Sequence, residues 1–210
     1  MDRKWATISM AAAMLVLSGC ATMSEDECLM SDWNAIGYED GSRGYTMEQF
    51  SNRRQACAKH GVTPDFRAYQ AGRDEGLVSY CQPSRGYNLG VAGGTYHGVC
   101  DVALEEEFLD AYRVGQQLYS LRSNVQTANN RIYSKERELE RVESQIRSKE
   151  ALLISDETTT EDRVLLLADL KDLSERTGEL ETEIQVLIAD RARFEMDLAE
   201  YEATVASYGF

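Results

Sequence analysis

The fold of this chain is decided by the stretch LYSLRSNVQTANNRIYSKERELERVESQIRSKEALL, residues 118–153. Its apolar residues recur every seven positions, and a second row lies three positions further along. The first row is Leu118, Val125, Ile132, Leu139, Ile146 and Leu153, and the second is Leu121, Ala128 and Val142 with Lys135 and Lys149. A heptad repeat sustained in this way is typical of a helix that packs along its length against another helix. The spacing therefore predicts a long coiled-coil helix.

The chain repeats this pattern after a short interruption. Residues 155–160, SDETTT, favour turns and helix caps, so they end the first helix and start a second. The heptad rows of the second helix are Leu166, Leu173, Leu180, Leu187, Phe194, Tyr201 and Tyr208, with Leu170, Ile184, Leu198 and Val205. Two heptad helices joined by so short a link pack antiparallel. The predicted register places Ile146 beside Leu173, Leu139 beside Leu180, Ile132 beside Leu187, Val125 beside Phe194 and Leu118 beside Tyr201.

Several apolar residues lie beside these rows rather than in them. They are Leu152, Leu165, Leu167 and Ile188. Apolar side chains outside the seam predict a partner-binding surface, either for a second copy of the hairpin or for a different protein. The alternative is that they only widen the seam. Gly178, next to polar Thr177, is predicted to be the weak point of the second helix.

The amino-terminal end has the pattern of a bacterial lipoprotein signal. Arg3 and Lys4 precede an apolar run of about a dozen residues, which is too short for a membrane-spanning helix. The run closes on Leu17-Ser18-Gly19-Cys20, which resembles a lipobox. We expect removal of residues 1–19 and diacylation of the Cys20 thiol. An ordinary cleaved signal peptide is the alternative.

The same resemblance implies a location and an anchor. Ala21 stands after the cysteine, where aspartate would favour retention at the inner membrane, and similarity to enterobacterial lipoproteins therefore implies transport to the outer membrane. Acyl chains on Cys20 would hold the protein there, because each buried methylene contributes about 0.8 kcal/mol. We expect the protein on the periplasmic face. Display on the cell surface is the other orientation that the sequence leaves open.

Four further cysteines lie between the anchor and the hairpin, namely Cys28, Cys57, Cys81 and Cys100. In an oxidising compartment, four cysteines so close in sequence predict two disulfides. Three pairings are possible, and Cys28–Cys57 with Cys81–Cys100 encloses the shortest loops, each worth about 3 kcal/mol from chain entropy. Cys57 and His60 also have a Cys-x-x-His spacing that suits a metal, but no second close pair accompanies it. We therefore predict disulfides, and no metal or other cofactor.

Capping residues and glycines predict three helices in this cysteine-bearing segment, over about residues 29–41, 46–61 and 63–81. Thr46 would cap the second, and Thr63-Pro64-Asp65 would start the third. Residues 82–99, rich in glycine and tyrosine, match no phosphate-binding motif in their spacing. Their glycines predict a loop of tight turns that the Cys81–Cys100 disulfide would hold at both ends. Asp101 would cap the long helix that follows.

The predicted fold class is therefore all-α, with three parts along the chain. Residues 1–19 are the signal peptide, and residues 20–115 are a small disulfide-stapled helical base domain. Residues 116–210 are the long antiparallel coiled-coil hairpin, which would rise from that base.

Three motifs in the base resemble a known family. They are Trp33-x-x-Ile36-Gly37-x-x-Asp40-Gly41, Tyr69-x-x-Gly72-Arg73-x-x-Gly76-Leu77-x-x-Tyr80-Cys81 and Tyr96-x-Gly98-x-Cys100. The segment from about residue 28 to residue 121 looks like the uncharacterised proteobacterial lipoprotein family known as domain of unknown function 2799. The resemblance implies a small disulfide-bearing lipoprotein domain and no assigned activity. A weaker echo, Tyr-x-x-Gly at residues 38–41, 69–72, 87–90 and 112–115, predicts close packing of helices.

Charge and motifs bear on the class of function. The formal net charge of −14 opposes binding to nucleic acid. Neither His60 nor His97 belongs to a recognisable nucleophile arrangement, so we predict a protein without enzymatic activity. We expect a structural or interaction lipoprotein that docks an envelope partner, or a second copy, through its hairpin. The alternative is a peptidoglycan- or small-ligand-binding module that uses Tyr87 and Tyr96 of loop 82–99.

Overall fold

The computed structural model describes residues 23–208, and every regular element in this range is a helix. The helices are α1 Glu25–Met30, α2 Trp33–Ser42, α3 Glu48–Ala58, α4 Phe66–Tyr80, α5 Pro83–Val91, α6 Val102–Leu153 and α7 Thr160–Val205. The predicted all-α class, with a disulfide-bearing helical part before a long helical hairpin, is confirmed. Within the described range, no helix combines the length and the apolar character needed to cross a membrane.

The chain divides into two compact units between Gly76 and Leu77, inside α4. The first unit contains α1 to α3 and most of α4, and the second contains α5, α6 and α7. The boundary predicted at residue 115 was placed where the heptads begin. The division between Gly76 and Leu77 instead separates two segments that are each compact. The predicted signal peptide, residues 1–19, lies outside the described residues.

The first unit is built around its disulfide. Cys28 and Cys57 are both buried and pack with Trp33, Phe50 and Tyr69. The centroid of the Phe50 ring lies 6.3 Å from that of Trp33 and 4.7 Å from that of Tyr69. A unit this small has little apolar surface to bury, so the covalent link and the aromatic cluster together stabilise it.

Two helix starts in this unit differ from the prediction. The helix predicted from Leu29 is in fact two, because the backbone is extended at Asp32 and the Asp32 carboxylate accepts hydrogen bonds from two N–H groups of the following turn, at 3.0 and 3.1 Å. Thr46 does not cap α3, which begins after Met47 without a side-chain cap. The Asp32 cap therefore starts a new helix at a position where apolar spacing alone predicts one continuous helix.

The prediction of a loop over residues 82–99 was wrong for its first half, which is helix α5. Pro83 stands in the first turn of α5, where its missing N–H costs nothing. Gly86 and Gly90 let α5 lie directly against the backbone of α6, and a Cβ placed on Gly90 would be 2.3 Å from the carbonyl oxygen of Tyr112. Glycine disfavours an isolated helix. Packing of α5 against α6 outweighs the low helix propensity of glycine. Helix propensity alone therefore could not predict α5.

Helices α6 and α7 form the predicted antiparallel hairpin. Ion pairs across it join Arg122 to Glu202, Lys135 to Glu183 and Lys149 to Asp169, so residue numbers fall along α7 as they rise along α6. The last two pairs lie within one residue of the register predicted from the heptads. Every predicted seam residue up to Val205 is buried or half-buried, whereas Tyr208 is exposed. The 52 residues of α6 extend about 78 Å at the standard helical rise.

The helix pair of the first unit is held by two glycines. Helices α2 and α4 approach so closely that a Cβ on Gly37 would lie 2.0 Å from the carbonyl oxygen of Tyr69. A Cβ on Gly72 would lie 1.9 Å from the carbonyl oxygen of Asn34. Both clashes are with backbone, so no other residue fits at either position.

The second unit repeats this arrangement between α5 and α6. A Cβ on Gly90 would lie 2.3 Å from the carbonyl oxygen of Tyr112, and one on Gly115 would lie 2.2 Å from that of Tyr87. In each unit the first glycine follows the first cysteine by nine residues, and the second glycine follows the second cysteine by fifteen. The chain therefore contains the same disulfide module, a disulfide with a glycine-packed helix pair, twice. Three of the four Tyr-x-x-Gly occurrences, at residues 69–72, 87–90 and 112–115, end on these glycines, whereas the fourth, at residues 38–41, does not.

Candidate functional site

The tip of the hairpin, where α6 turns into α7, is the candidate functional site. Helix α6 ends at Leu153, and α7 begins after Thr159, whose hydroxyl oxygen accepts a hydrogen bond from the N–H of Asp162 at 3.1 Å. Exposed apolar side chains cluster here. More than half of the side chain is exposed at Leu152, Ile154, Val164, Leu165 and Leu167. Apolar surface concentrated in this way marks interaction sites on soluble domains.

The structure brings together two of the four residues predicted to bind a partner. Leu152 and Leu165 line one groove between the helices, with Ser155, Glu157, Thr158, Asp162, Leu166 and Asp169. Leu167 is 56% exposed but does not line this groove. Ile188 is half-buried and lies three heptads beyond Leu167 along α7, about 30 Å further from the tip. The partner-binding role of these residues stays a prediction, and only Leu152 and Leu165 share a surface.

The groove continues from the tip along one face of the hairpin. Asp169 lines it and also lines its extension, which is formed by Ser144, Gln145, Ser148, Lys149, Asp172 and Leu173. On α7, Asp162, Leu165, Asp169 and Asp172 follow one another at intervals of three, four and three residues, which places them on one helix face. We call these four residues the acidic stripe. Within residues 23–208, Lys149 is the only cation that lines the groove, and its Nζ lies 2.5 Å from the Asp169 carboxylate.

Arg163 fixes the shape of the tip. Its guanidinium donates hydrogen bonds to the carbonyl oxygens of Leu153, of Ser155 at 2.7 Å and of Thr158 at 3.3 Å. The Thr158 hydroxyl in turn donates to the carbonyl oxygen of Leu152 at 2.6 Å. Carbonyl groups in the last turn of a helix lack their usual intrahelical partner. The bonds to Leu152 and Leu153 supply hydrogen-bond donors at the end of α6, and those to Ser155 and Thr158 fix the turn, so the groove is ordered in the free protein. Sequence reasoning missed Arg163, because its partners are backbone atoms on the far side of a turn.

A second polar site, also missed from the sequence, lies inside the first unit. Asp40, 1% exposed, accepts hydrogen bonds from both terminal nitrogens of Arg53 and, at 2.8 Å, from the hydroxyl of Tyr69. The hydrogen bond to Asp40 raises the pKa of Arg53. Arg73, also buried, donates to the carbonyl oxygen of Tyr45 at 2.9 Å. Both oxygens of Asp40 have protein donors, which is how a buried charge is stabilised in a structural role.

We expect the first unit to lose stability as the pH rises above about 10. Burial, ahead of the hydrogen bond to Asp40, raises the pKa of Tyr69. The unfolded chain then ionises at a lower pH than the folded one, so the contribution is complete below the unfolded pKa and is lost above it. Urea unfolding at neutral and alkaline pH measures this, with Tyr69→Phe and the exposed control Tyr45→Phe. Tyr69→Phe should reduce the loss of unfolding free energy between neutral and alkaline pH. An equal loss in the native chain, Tyr69→Phe and Tyr45→Phe would contradict the assignment to Tyr69.

The structure places the four cysteines as predicted, in the disulfides Cys28–Cys57 and Cys81–Cys100, with Cα separations of 5.6 and 5.7 Å. The Cys-x-x-His pattern is therefore not a free ligand pair, and the His60 ring nitrogen Nε2 lies 3.2 Å from a backbone carbonyl oxygen. Residues 23–208 contain no group of three or more His, Cys, Asp or Glu side chains that could hold a metal ion. Cys20, the predicted lipidation site, lies outside the described residues.

Tyr96, which the alternative interpretation of the sequence assigns to peptidoglycan or small-ligand binding, makes its contacts within the second unit. Its hydroxyl donates to the Glu105 carboxylate at 2.9 Å and accepts from the N–H of Cys100 at 2.9 Å. Its ring centroid lies 4.9 Å from that of the fully buried Phe108. Burial raises the pKa of the Tyr96 hydroxyl. These contacts make Tyr96 part of the packing around the Cys81–Cys100 disulfide.

Comparison with known proteins gives one match. A family profile, described as protein of unknown function (DUF2799), matches residues 32–117. No curated protein and no solved structure matches the chain. The matched range begins at the residue that caps α2 and ends within α6, so it includes the helix pairs of both disulfide modules and stops where the heptads begin. Residues 32–117 of the chain are thus similar to the DUF2799 family of proteins of unknown function.

Proposed function

We propose that this protein is a non-enzymatic lipoprotein of the bacterial outer membrane, facing the periplasm, that docks an envelope partner through its helical hairpin. The observation that carries the proposal is the exposed apolar tip, where Leu152 and Leu165 are 55% and 66% exposed beside a fixed groove. Exposed leucines at the end of a long helical element are suited to binding another protein.

The body of the hairpin supports a docking role because it is internally braced. Midway along it, Lys135, Glu138, Arg176 and Glu183 form a network of ion pairs between α6 and α7. Single surface pairs contribute little to stability. Here they complete a seam that is polar at Lys135 and so help to keep the helices in register. A braced hairpin can hold its tip at a set distance from the rest of its unit.

The amino-terminal sequence supports the anchoring part of the proposal. The lipobox-like stretch ends at Cys20, and α1 begins five residues later at Glu25. Ser24 and Glu27 form a capping box, with the Ser24 N–H donating to the Glu27 carboxylate at 2.7 Å. An acylated Cys20 would thus be joined to folded structure by a very short linker, which would keep the first unit close to the bilayer.

Metabolic labelling tests the anchor. Cells that express the chain and grow with radiolabelled palmitate should incorporate label into it, and Cys20→Ala should abolish the label and release the protein from the membrane fraction. Cys28→Ala serves as the control, since it removes a cysteine that is bonded to Cys57. Failure of the native chain to take up label would contradict the lipoprotein assignment.

Photo-crosslinking in cells tests the docking role. A photoreactive amino acid at residue 165 should give a discrete adduct with another protein, because Leu165 is exposed in the groove. The control position is Val186, which is 57% exposed on the same helix but outside the groove. Adducts that form equally from both positions, or from neither, would contradict docking at the tip.

A further inference from the structure

We propose that the groove at the hairpin tip binds a cationic amphipathic helix of a protein partner. This inference rests on the docking function proposed above and adds the chemistry of the partner. It is carried by three properties of the groove, namely the charge of its walls, the apolar side chains that line it and its fixed shape.

The walls of the groove are acidic. Asp162, Asp169 and Asp172 of the acidic stripe line one side, and Glu157 lines it near the turn. Asp169 is paired with Lys149, whereas Asp172 and Glu157 take part in no ion pair within the described part of the chain. Carboxylates beside exposed apolar surface are complemented by lysine or arginine at the edge of a partner's apolar face. An acidic partner would be repelled.

The apolar side chains and the length of the groove suit a helix. Leu152, Leu165 and Leu166 supply apolar side chains between the acidic positions. From Asp162 to Asp172 the stripe spans about 15 Å, which is close to three helical turns. A helix laid along it would present apolar anchors at the i, i+3, i+4 and i+7 positions that groove-binding helices use. Basic residues seven positions apart on that helix would match Asp162 and Asp169.

The fixed shape of the groove lowers the cost of binding. The three hydrogen bonds from Arg163 to backbone carbonyl groups, and the bond from the Thr158 hydroxyl to Leu152, already order the turn. A surface that is ordered before the partner arrives loses less conformational freedom on association. The groove can therefore bind a short helix without refolding.

Peptide binding to the full chain tests the inference. The probe is a fluorescein-labelled peptide of leucine and lysine, with leucines at i, i+3, i+4 and i+7 and lysines on both flanks. A matched peptide has glutamate in place of every lysine. Fluorescence anisotropy should show saturable binding of the lysine peptide alone, weakened by added salt as expected for an electrostatic contribution.

Four single variants locate the binding site. Leu165→Ala and Asp172→Lys should each weaken binding of the lysine peptide by about tenfold, because one removes an apolar anchor and the other reverses a charge in the stripe. Val186→Ala and Glu181→Lys are the matched controls, since both residues are exposed on α7 outside the groove. They should bind as the native chain does. Circular dichroism confirms that each variant is folded.

The inference is overturned if the two peptides bind equally, if the lysine peptide does not bind, or if the groove variants and the controls behave alike. This result is separable from the docking function itself. Crosslinks from residue 165 in cells, together with any of these three outcomes, would reject the cationic helix and retain docking. The absence of those crosslinks would reject docking.

Discussion

Replacing Asp40 with alanine is expected to lower the free energy of unfolding of the first unit by about 3 kcal/mol or more. Three hydrogen-bond donors point at this carboxylate, two from Arg53 and one from Tyr69. Removing the acceptor leaves all three without a partner in the interior. The Arg53 side chain is 25% exposed and can turn partly toward water, so the effect should lie at the lower end for a broken buried ion pair.

Urea denaturation of the full chain, followed by amide hydrogen exchange within residues 23–76, measures this effect. Asp74→Ala is the matched control, because Asp74 is an exposed aspartate in the same unit, and its loss should change stability by less than about 0.5 kcal/mol. Asp40→Asn should be intermediate, since it keeps the shape but replaces one acceptor oxygen with an NH₂ group that faces the same donors. Equal stability of Asp40→Ala and Asp74→Ala would show that the buried cluster does not hold the unit together.

Gly72→Ala is expected to have the second large effect, lowering the free energy of unfolding of the first unit by about 3 kcal/mol. This direction is the reverse of the usual one for a glycine-to-alanine change in a helix. Alanine normally stabilises a helix relative to glycine by about 1 kcal/mol. At Gly72, however, the added Cβ would lie 1.9 Å from the carbonyl oxygen of Asn34 and 3.0 Å from the backbone nitrogen of Tyr38. Backbone atoms cannot rotate away as a side chain can, so α2 and α4 must separate and lose their packing.

Gly178→Ala is the matched opposite case. Apart from the backbone of α7 itself, no atom of the described residues lies within 4 Å of a Cβ at Gly178, so the substitution should stabilise α7 by about 1 kcal/mol. Thermal unfolding of both variants, with hydrogen exchange to assign the change to its unit, tests the pair. The interpretation of Gly72 as a packing contact would be refuted by a Gly72→Ala chain at least as stable as the native one.

The repeated disulfide module extends this prediction to the second unit. Gly115 occupies the position in α6 that Gly72 occupies in α4, with the carbonyl oxygen of Tyr87 2.2 Å from an added Cβ. Gly115→Ala should therefore destabilise the second unit by a similar amount. The stability of each unit is measured separately for the two variants. A similar loss in both would show that close packing at these glycines is a property of both disulfide modules and not of one alone.

The features that sequence reasoning predicted well depend on spacing along the chain. Heptads fix which faces of α6 and α7 meet, so the ion pairs Lys135–Glu183 and Lys149–Asp169 fall within one residue of the predicted register. The disulfide pairing followed from loop length. Both arguments need only positions in the sequence, and neither requires knowledge of which distant segments approach one another.

The features that were missed depend on contacts between distant segments. Helix α5 is rich in glycine, and only the nearby backbone of α6 explains why it is a helix. The hydrogen bond from Tyr69 to Asp40 spans 29 residues, and the Arg53 contact spans 13, so no local pattern marks them. Likewise, the sequence grouped Leu167 and Ile188 with Leu152 and Leu165, whereas only the last two line the same groove.

The order of the cysteines has a consequence for how the protein matures. Each disulfide joins two cysteines that are consecutive along residues 23–208, and neither loop encloses a cysteine of the other pair. If translocation delivers the amino terminus first, Cys28 and Cys57 can bond before Cys81 emerges, and no wrong partner has to be exchanged. A thiol oxidase would then be sufficient for maturation, and a strain that lacks its disulfide isomerase should still accumulate the correctly bonded protein.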